Sequence, residues 1–402
     1  MRSVLVLGGD GFCGWPTALH LSAQGYRVGI VDNLSRRHID DEMGSGSLSP
    51  ITSIHERLDV WHEVSGEKIE FFYLDVAGEY QGLLGTIASF SPDTVVHFAE
   101  QRSAPYSMTN AHHKRYTIRN NIEGTHNLLC ALVELDRNIH VVHLGTTGVY
   151  GYGTAGIEIP EGYLDVLIKT GTDEKGADRY AERSILFPTN PGSVYHLTKS
   201  MDQLLFQYYA QNDHLPITDL HQGIVWGTQT EETRRHDGLI NRFDYDGDYG
   251  TVLNRFLMQA VVGHALTVHG TGGQTRAFIN IQDTVRCIRL AIDNPPQPGD
   301  RVKIFNQVAE TKRVKDLAEM IAAMTGARIA YVDNPRVEDA ENDLLMSNAA
   351  FRSLGLDPIL LREQLFGETM EIVERFKSRY DPKMVAARSL WTRNNRPGIV
   401  KE

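Results

Sequence analysis

The sequence predicts an α/β fold in which a Rossmann-type parallel sheet with helices on both faces is joined to a smaller, mixed α/β lobe toward the C-terminus. Three observations predict it. Short β-branched runs alternate with longer helical patterns through the first half of the 402-residue chain, which is typical of βαβ units. A glycine-rich turn separates the first run from the first helical pattern. After about residue 226 the helix and strand patterns become shorter and mixed.

The elements follow in order along the chain. Apolar residues recur at near-helical spacing in each helical pattern, and Gly25 provides a stop for the first helix. The predicted strands cover residues 4–7, 28–32, 69–75, 94–98, 140–145 and 217–222. The predicted helices cover residues 15–24, 121–135 and 194–209, and the second half adds a strand at 276–281 and helices at 284–292 and 317–324.

We divide the chain into a dinucleotide-binding Rossmann domain at residues 1–225 and a substrate lobe that takes up most of residues 226–402. Residues 276–310 are predicted to return to the Rossmann domain. The stretch 151–191 is rich in glycine and charge and has weak periodicity. We interpret it as an insertion in the first domain, and long insertions in compact domains are often functional.

The composition argues against several classes of protein. The formal net charge of −11 disfavours a nucleic-acid partner, although a local cluster of arginines can still bind an anion. Cys13, Cys130 and Cys287 lie far apart and form no CxxC motif, so neither disulfides nor a metal site is predicted. The apolar run at residues 3–7 is shorter than the ~7–15 residues of a signal-peptide core or the ~20 of a membrane helix. We therefore expect a cytoplasmic protein without membrane insertion.

The glycine-rich turn has the spacing GxxGxxG, which is that of short-chain dehydrogenases, and it lies between a predicted strand and a predicted helix. In that context Gly8 permits a tight turn, Gly11 lets the backbone approach a pyrophosphate, and Gly14 allows close packing of helix and strand. Free N–H groups at the start of the helix favour phosphate. With Phe12 and Cys13, these glycines are candidate cofactor-binding residues, and an ordinary tight turn is the alternative.

Asp32 ends the second predicted strand, where a carboxylate bonds the adenosine ribose hydroxyls and repels a 2′-phosphate, so NAD is favoured over NADP. Arg36 and Arg37 follow closely and keep NADP open, since arginine can accept a 2′-phosphate. Asp75 follows the third strand and either faces the adenine or only closes a turn. The other candidate cofactor-binding residues are Asn33, Val76 and Phe98.

Tyr195 and Lys199 are four residues apart on a predicted helix and therefore share one face. A nearby ammonium lowers the pKa of tyrosine, and the phenolate can take a proton from a sugar hydroxyl as hydride leaves the same carbon. The pair also counts as cofactor-binding, and a surface i,i+4 pair is the alternative. Thr146, at the end of the fifth strand, either bonds the substrate hydroxyl or the Tyr195 oxygen, or only satisfies the local backbone.

Four segments of the chain resemble the UDP-sulfoquinovose synthases, which are extended short-chain dehydrogenases. They are HFAEQRSAPYSM at 97–108, YHLTK at 195–199, GTGGQTR at 270–276 and NPRVE at 334–338, and the resemblance runs over nearly the whole chain. The EQRSAPYSM segment is the most specific, since general sugar-nucleotide epimerases do not carry it. The resemblance implies tightly held NAD, UDP-glucose and sulfite as substrates, and UDP-sulfoquinovose, the donor of a sulfolipid head group, as product.

The resemblance also implies roles for individual residues. Thr146, Tyr195 and Lys199 match catalytic positions, His196 matches a histidine beside the tyrosine, and Arg102 matches an arginine near the sugar and sulfite. The candidate substrate-binding residues, which the matching segments carry, are Gln101, Arg102, Thr146, Gln222, Asn254, Thr267, Val268, Gln274, Arg276, Arg336 and Glu338.

In the hypothetical reaction, Tyr195 takes the C4 hydroxyl proton while NAD accepts the C4 hydride. Water is then lost across C5 and C6, sulfite adds at C6, and the hydride returns to C4. Arg102 is the candidate sulfite ligand, because it follows the fourth strand at the ligand-binding edge and guanidinium binds oxygen pairs in bidentate fashion. Pairing of Arg102 with Glu100 or with a UDP phosphate is the alternative. A homodimer through the helices at 121–135 and 194–209 is expected by analogy.

Two rival functions are weighed against this one. A UDP-glucose 4-epimerase or 4,6-dehydratase is the first, but dehydratases carry Asp-Glu after the threonine, whereas Thr147 and Gly148 stand here. His196 is the candidate substitute for that pair, or else structural, since neighbouring helix positions diverge by about 100°. A non-catalytic NAD-binding regulator is the second rival, and the intact Tyr-Lys pair argues against it. The sequence departs from the family pattern at Thr147 and Val149, where Met and Glu are usual, and in the 151–191 insertion.

Overall fold

A computed structural model of the chain describes residues 2–151, 156–336, 338–385, 389 and 391. Its strands are β1 (Ser3–Leu7), β2 (Arg27–Asp32), β3 (Ile69–Tyr73), β4 (Thr94–His97), β5 (His140–Thr146), β6 (Tyr163–Thr172), β7 (Asp178–Leu186), β8 (Ile217–Gln222), β9 (Ile224–Trp226), β10 (Leu266–His269), β11 (Thr275–Asn280), β12 (Lys303–Gln307), β13 (Glu310–Arg313) and β14 (Ile329–Val332). Its α-helices are α1 (Gly14–Ala23), α2 (Ser35–Met43), α3 (Ile54–Ser65), α4 (Tyr80–Phe90), α5 (Ala104–Met108), α6 (Ala111–Ile118), α7 (Gly124–Glu134), α8 (Val194–Asn212), α9 (Val252–Val261), α10 (Ile281–Asp293), α11 (Val314–Thr325), α12 (Ala349–Ser353), α13 (Leu361–Gln364) and α14 (Met370–Phe376).

A seven-stranded sheet, parallel throughout, runs in the order β12-β8-β5-β4-β1-β2-β3. The six predicted strands of the first half lie within two residues of their observed bounds. Every residue of β1 and β4 is buried because the sheet is covered on both faces, and in β1 this gives the apolar run at residues 4–7. The strand order reverses between β1 and β4, and ligands bind at the carboxyl ends of strands at such a point. The predicted α/β fold is confirmed.

Two apolar clusters cover the two faces of this sheet. One packs α1 and α10 against the strands through residues such as Leu19 and Ile288. The other packs α4, α7 and α8 through Leu83, Leu129 and Phe206. Among the described helices, none combines the length and the apolar character needed to cross a bilayer.

The C-terminal lobe has its own apolar core, in which α9, α11 and β10 meet through Phe256, Leu317 and Val268. β10 pairs with β14, and β11 pairs with β9 and β13. Residues 276–310 divide between the two parts of the molecule. β12 forms an edge of the seven-stranded sheet beside β8, whereas β11 lies in the three-stranded sheet.

The 151–191 segment contains the antiparallel hairpin β6–β7, although residues 152–155 lie outside the described part of the chain. Its strands are mostly exposed. The base of the hairpin is fixed by Tyr163, whose hydroxyl donates to the Val302 carbonyl at 2.8 Å and accepts from Gln207 Nε2 at 2.9 Å. The weak periodicity of this segment is therefore that of a hairpin that projects from the domain.

Candidate active site

A pocket opens at the carboxyl ends of β1, β4 and β5 and extends into the C-terminal lobe. It brings together most of the residues that the sequence singled out. They are Gly8, Gly11, Phe12, Cys13, Gly14, Asp32, Asn33, Arg36, Asp75, Val76, Phe98, Gln101, Arg102, Thr146, Tyr195, His196, Lys199, Gln222, Gln274, Arg276, Arg336 and Glu338. Three further candidates, Asn254, Thr267 and Val268, do not line this pocket.

The glycine loop between β1 and α1 leaves no room for side chains. Gly8 has a φ of +81°, and a Cβ there would lie 2.7 Å from the carbonyl carbon of Phe98. A Cβ on Gly14 would lie 2.1 Å from the Gly8 carbonyl oxygen. The loop therefore holds the backbone open at the start of α1, which is the arrangement that a dinucleotide pyrophosphate requires.

Asp32 ends β2 at the pocket wall. Its Oδ1 accepts from the Leu34 amide at 2.7 Å and its Oδ2 from the Asp10 amide at 2.8 Å. Burial, and then the nearby Asp10 carboxylate, raise the pKa of Asp32 to about 6. Arg37, which the sequence left open as a 2′-phosphate ligand, binds the Asp10 carboxylate at 2.6 and 2.9 Å. Arg57 binds the same carboxylate at 2.9 Å, so Asp10 pairs with two guanidinium groups.

Arg36 is likewise held by carboxylates. It forms ion pairs with Asp40 and, at 3.2 Å, with Asp244 of the C-terminal lobe. Asp75 lines the pocket, and its Oδ1 accepts from the Ala77 amide at 3.1 Å. One oxygen of Asp75 therefore closes the turn while the residue still lines the pocket, and its contact with the adenine stays a prediction.

Tyr195 and Lys199 lie one turn apart near the start of α8, whose first turn is capped by Ser193. Burial raises the pKa of Tyr195 to about 12, against the opposing effects of the Lys199 charge and of a hydrogen bond from Thr146. The lowering expected from the lysine is present, but burial outweighs it. The Thr146 Oγ1 also accepts from the Gly148 amide at 3.1 Å, so it satisfies the local backbone as well.

Lys199 has neighbours that the sequence did not predict. Its Nζ donates to the Leu144 carbonyl at 2.7 Å and lies 2.9 Å from Glu100 Oε1 and 3.0 Å from His143 Nε2. The alternative that Glu100 pairs with Arg102 is therefore wrong. Glu100 faces into the domain, where it binds His143 at 2.8 Å as well as the lysine.

Arg102 instead binds Asp244, at 2.6 Å, and 36% of its side chain remains exposed in the pocket. Asp244 is shared by Arg36 at 3.2 Å and by Arg242 at 3.1 Å, and Arg242 also binds Asp40 at 2.6 Å. Against burial, these three arginines hold the pKa of Asp244 well below its usual range. Three guanidinium groups thus contact two carboxylates at this wall, and Asp246 also lies close enough to act on Arg36 and Asp244.

A second group of arginines lines the C-terminal end of the pocket. Arg276 forms an ion pair with Glu338, and Arg336 lies in the same wall. Arg255, which the sequence did not predict, donates to the Thr267 carbonyl at 3.3 Å. Burial and the neighbouring Arg336 lower the pKa of Arg255 to about 10. Such a concentration of cations favours an anionic group, and a diphosphate fits that description.

Asn254, which was predicted to contact the substrate, does not line the pocket. Asn254 is buried in the first turn of α9, where its Nδ2 donates to the Asp244 carbonyl at 2.9 Å. The next residue, Arg255, faces the pocket. Asn254 and Arg255 point in different directions from the first turn of α9, and the similarity of the sequence segments could not show which of the two faces the pocket.

The same holds for Thr267 and Val268 of β10. The Thr267 hydroxyl accepts from Gln259 Nε2 of α9 at 2.9 Å, and Val268 is fully buried in the apolar core of the lobe. His269, at the end of the strand, is the residue that reaches the pocket. Strand alternation puts Val268 on the face opposite Thr267 and His269, and of the two residues on the shared face only His269, at the end of the strand, lines the pocket.

His196 is buried beside the reactive tyrosine, with its ring 5.3 Å from that of Tyr195. Its space exists because residue 148 is glycine; a Cβ there would lie 2.4 Å from the imidazole. Burial, followed by the charges of Arg336 and Arg276, lowers the pKa of His196 to about 3. The imidazole is therefore neutral near pH 7, and burial together with the two arginines disfavours its protonated form.

Two predicted glutamines reach the pocket with side chains that are already engaged. Gln101 Nε2 donates to the Ser103 carbonyl and to Thr117 Oγ1, both at 3.0 Å. Gln222 Nε2 donates to Gln307 Oε1 at 2.9 Å. Both hold the strand-end loops in place, as their burial indicates.

The chain is similar to one family model, to two known proteins and to a solved structure. The NAD dependent epimerase/dehydratase family matches residues 4–306. The chain is 42% identical to a chloroplastic UDP-sulfoquinovose synthase of Spinacia oleracea over 97% of this chain and 79% of that protein. It is 37% identical to a UDP-sulfoquinovose synthase of Sulfolobus acidocaldarius over 94% of this chain and 96% of that protein. Among solved structures, a UDP-glucose 4-epimerase of Thermotoga maritima with UDP-glucose has a TM-score of 0.68 at 20% identity, covering 94% of this chain and all of that one, which shows the shared fold.

Proposed function

The chain belongs to the NAD dependent epimerase/dehydratase family and, within it, to the UDP-sulfoquinovose synthases, and on that premise we propose that it joins UDP-glucose and sulfite into UDP-sulfoquinovose through transient oxidation at C4. One observation carries the proposal. A single pocket contains the dinucleotide loop, the Tyr195–Lys199 pair and two groups of arginines. The loop suits a dinucleotide cofactor, the Tyr195–Lys199 pair suits a sugar hydroxyl, and the two groups of arginines suit two anionic groups.

The cofactor part of the proposal rests on the cradle between β1 and α1. Gly8 and Gly14 allow the tight turn and the close packing of α1 on β1, Gly11 lines the pocket where the backbone would approach a pyrophosphate, and the Asp32 carboxylate would bond the ribose. NAD is proposed rather than NADP because Arg36 and Arg37 are both occupied by carboxylates. When bound, NAD supplies the group that accepts a hydride from C4 and later returns it.

The protein's own residues would handle the protons. Tyr195 accepts the C4 hydroxyl proton, Thr146 orients the oxygen, and the Lys199 ammonium stabilises the phenolate. Oxidation at C4 acidifies the C5 proton. His196 is proposed to accept it, since it lies beside Tyr195 and lines the same pocket. An anionic ligand that neutralises Arg336 and Arg276 would raise the low pKa of this imidazole.

Arg102 is proposed to hold sulfite. Its guanidinium is partly exposed in the pocket, and its charge acts on Tyr195. In Arg102→Ala the sulfite requirement should rise steeply, while UDP-glucose affinity and C4 oxidation stay largely intact. Separate titrations of the two ligands test this. Equal loss for both, or loss for UDP-glucose alone, would make Arg102 a nucleotide ligand.

The reaction itself is tested by product analysis with and without sulfite. The purified protein should form UDP-sulfoquinovose from UDP-glucose only when sulfite is present. UDP-galactose as the product would favour a 4-epimerase, and a stable 4-keto-6-deoxy sugar would favour a 4,6-dehydratase. Absence of any product with NAD still bound would favour the non-catalytic regulator.

A homodimer is proposed from the outer face of α8. Leu197, Met201, Leu204 and Tyr208 form one stripe there and are 36–64% exposed. Large apolar side chains at this spacing are typical of a helix that packs on another surface. Leu204→Glu should shift the molar mass measured by light scattering from dimer to monomer. An unchanged mass, or a monomeric wild type, would reject the dimer.

A further inference from the structure

Behind Lys199 lies a buried chain of charged groups that the proposed reaction does not use. His143 bridges Glu100 and Asp219, with contacts of 2.8 Å on each side. Asp219 in turn binds His221 at 2.9 Å. The side chains of these four residues are at most 2% exposed. So much buried charge is costly unless every member is paired, so its position beneath the catalytic lysine calls for a role.

A metal ion is one candidate explanation of this chain. Ligand atoms of Glu100, His143 and Asp202 lie within 4.8 Å of one another. However, the Lys199 ammonium lies 2.9 Å from Glu100 and 3.0 Å from His143. The lysine therefore supplies the cation that these groups surround.

Two cations lie in this chain, because, against burial and the Lys199 charge, Asp219 and Glu100 raise the pKa of His143 to about 9. The carboxylates of Glu100 and Asp219 face them. Burial alone would lower the pKa of Lys199, but Glu100, followed by Tyr195 and Asp202, raises it instead. Asp202 adds little charge, because burial and Glu100 raise its pKa well above the usual range and neither of its oxygens has a hydrogen-bond partner. Glu100 is thus the carboxylate that opposes the ammonium.

We propose that Glu100, oriented by His143, is a positioning residue that keeps Lys199 protonated and aimed at Tyr195 throughout the reaction. A buried lysine without a counter-ion readily loses its proton, and a neutral amine does not stabilise the phenolate. His143 fixes the carboxylate through its Nε2, while its Nδ1 donates to Asp219. The inference rests on the proposed function of the Tyr195–Lys199 pair.

The pH dependence of C4 oxidation is the readout that a merely structural role would not move. The charged and titratable groups that surround Lys199 or its direct neighbours are Tyr195 and Asp202 on α8, Glu100 and His97 at β4, His143 on β5, Asp219 on β8 and Arg102. Because Glu100 raises the pKa of Lys199, its removal should let the ammonium lose its proton at lower pH. Activity needs the ammonium, so the alkaline limb of the rate profile should move to lower pH.

The experiment compares Glu100→Gln with Glu100→Asp and Asp202→Asn in the holoenzyme. The rate of absorbance change at 340 nm after mixing with UDP-glucose, without sulfite, is measured across pH. In Glu100→Gln the alkaline limb should move to lower pH by about one unit or more. At a fixed pH on that limb, a shift of one unit is a tenfold lower rate. Glu100→Asp keeps the charge and should keep most of the wild-type profile. Asp202→Asn replaces a neutral acid by a neutral amide and should leave the profile unchanged.

A Lys199→Met variant tests whether Glu100 acts through the lysine or acts on the reaction directly. In Lys199→Met, adding Glu100→Gln should change the remaining rate by less than about twofold, since residues that act as a unit are not additive. An unshifted limb in Glu100→Gln, or the same loss in both backgrounds, would overturn the inference. If Glu100→Gln does not fold, the added Lys199→Met must restore folding, because it removes the unpaired ammonium; failure to do so also overturns it. A wild type that does not oxidise UDP-glucose would instead reject the proposed function.

Discussion

The two ends of the pocket differ in how their charges are balanced. At the Tyr195 end, the lysine ammonium is matched by a buried carboxylate, and the groups around it are held by contacts inside the protein. At the other end, Arg255, Arg276 and Arg336 share the wall with Glu338. A balanced cluster suits proton transfer, because it changes little when a ligand arrives. A wall with more cations than carboxylates suits an anionic ligand, because the ligand neutralises the excess positive charge.

The largest expected effect lies at the balanced end. Tyr195→Phe keeps the ring packed and removes only the oxygen that accepts the proton. Loss of general-base catalysis typically costs about 10²–10⁴-fold, so C4 oxidation should fall by that factor while bound NAD is retained. Turnover of UDP-glucose and cofactor content are measured on the same preparation. Near-normal turnover would show that Tyr195 is not the base.

The next effect tests the wall that holds cations in excess. Arg255→Ala should raise the KM for UDP-glucose roughly 10- to 150-fold with little change in kcat, since a hydrogen bond from a charged group contributes ~1.5–3 kcal/mol. Arg313→Ala, which removes a charge from the same lobe outside the pocket, is the matched control. If both variants have the same KM, the arginine wall does not bind the diphosphate.

The two ends also differ in how far they could be predicted from sequence. Strand, turn and helix follow each other within a few residues at the glycine loop, and Tyr195 and Lys199 share one turn of helix, so local patterns were enough. Arg255 and His269 come from separate elements whose side-chain directions depend on packing within the lobe. The segment match selected Asn254 and Thr267, each one or two residues away, because sequence alone does not fix the register of β10 or the rotation of α9.

Glu100 shows the same limit at the balanced end. The sequence placed it beside Arg102, and adjacent charges along a chain suggest a pair. The structure turns them in opposite directions, toward Lys199 and toward Asp244. No local pattern could reveal those partners, because 99 residues separate Glu100 from Lys199 and 142 separate Arg102 from Asp244.

A smaller effect is expected at the ribose carboxylate. Asp32→Ala should weaken NAD binding about tenfold, which corresponds to one hydrogen bond of ~1.4 kcal/mol, and should reduce discrimination against NADP. Extraction of the nucleotide bound to the wild type is the direct check. NADP in that extract would contradict the assignment of Asp32 and return attention to Arg36.

The smallest effect should come from a residue that the sequence misplaced. Thr267→Val removes the hydroxyl that accepts from Gln259, and an unpaired buried amide costs ~1–3 kcal/mol of stability. Thr267 does not line the pocket, so the KM for UDP-glucose should stay within about twofold of wild type. His269→Ala, two residues away on the same strand, should raise that KM more, because its ring lies in the wall near Arg255 and Arg336. Thermal unfolding and initial-rate kinetics on both variants separate the two effects. A larger KM change in Thr267→Val than in His269→Ala would place the substrate nearer the middle of β10 than its carboxyl end.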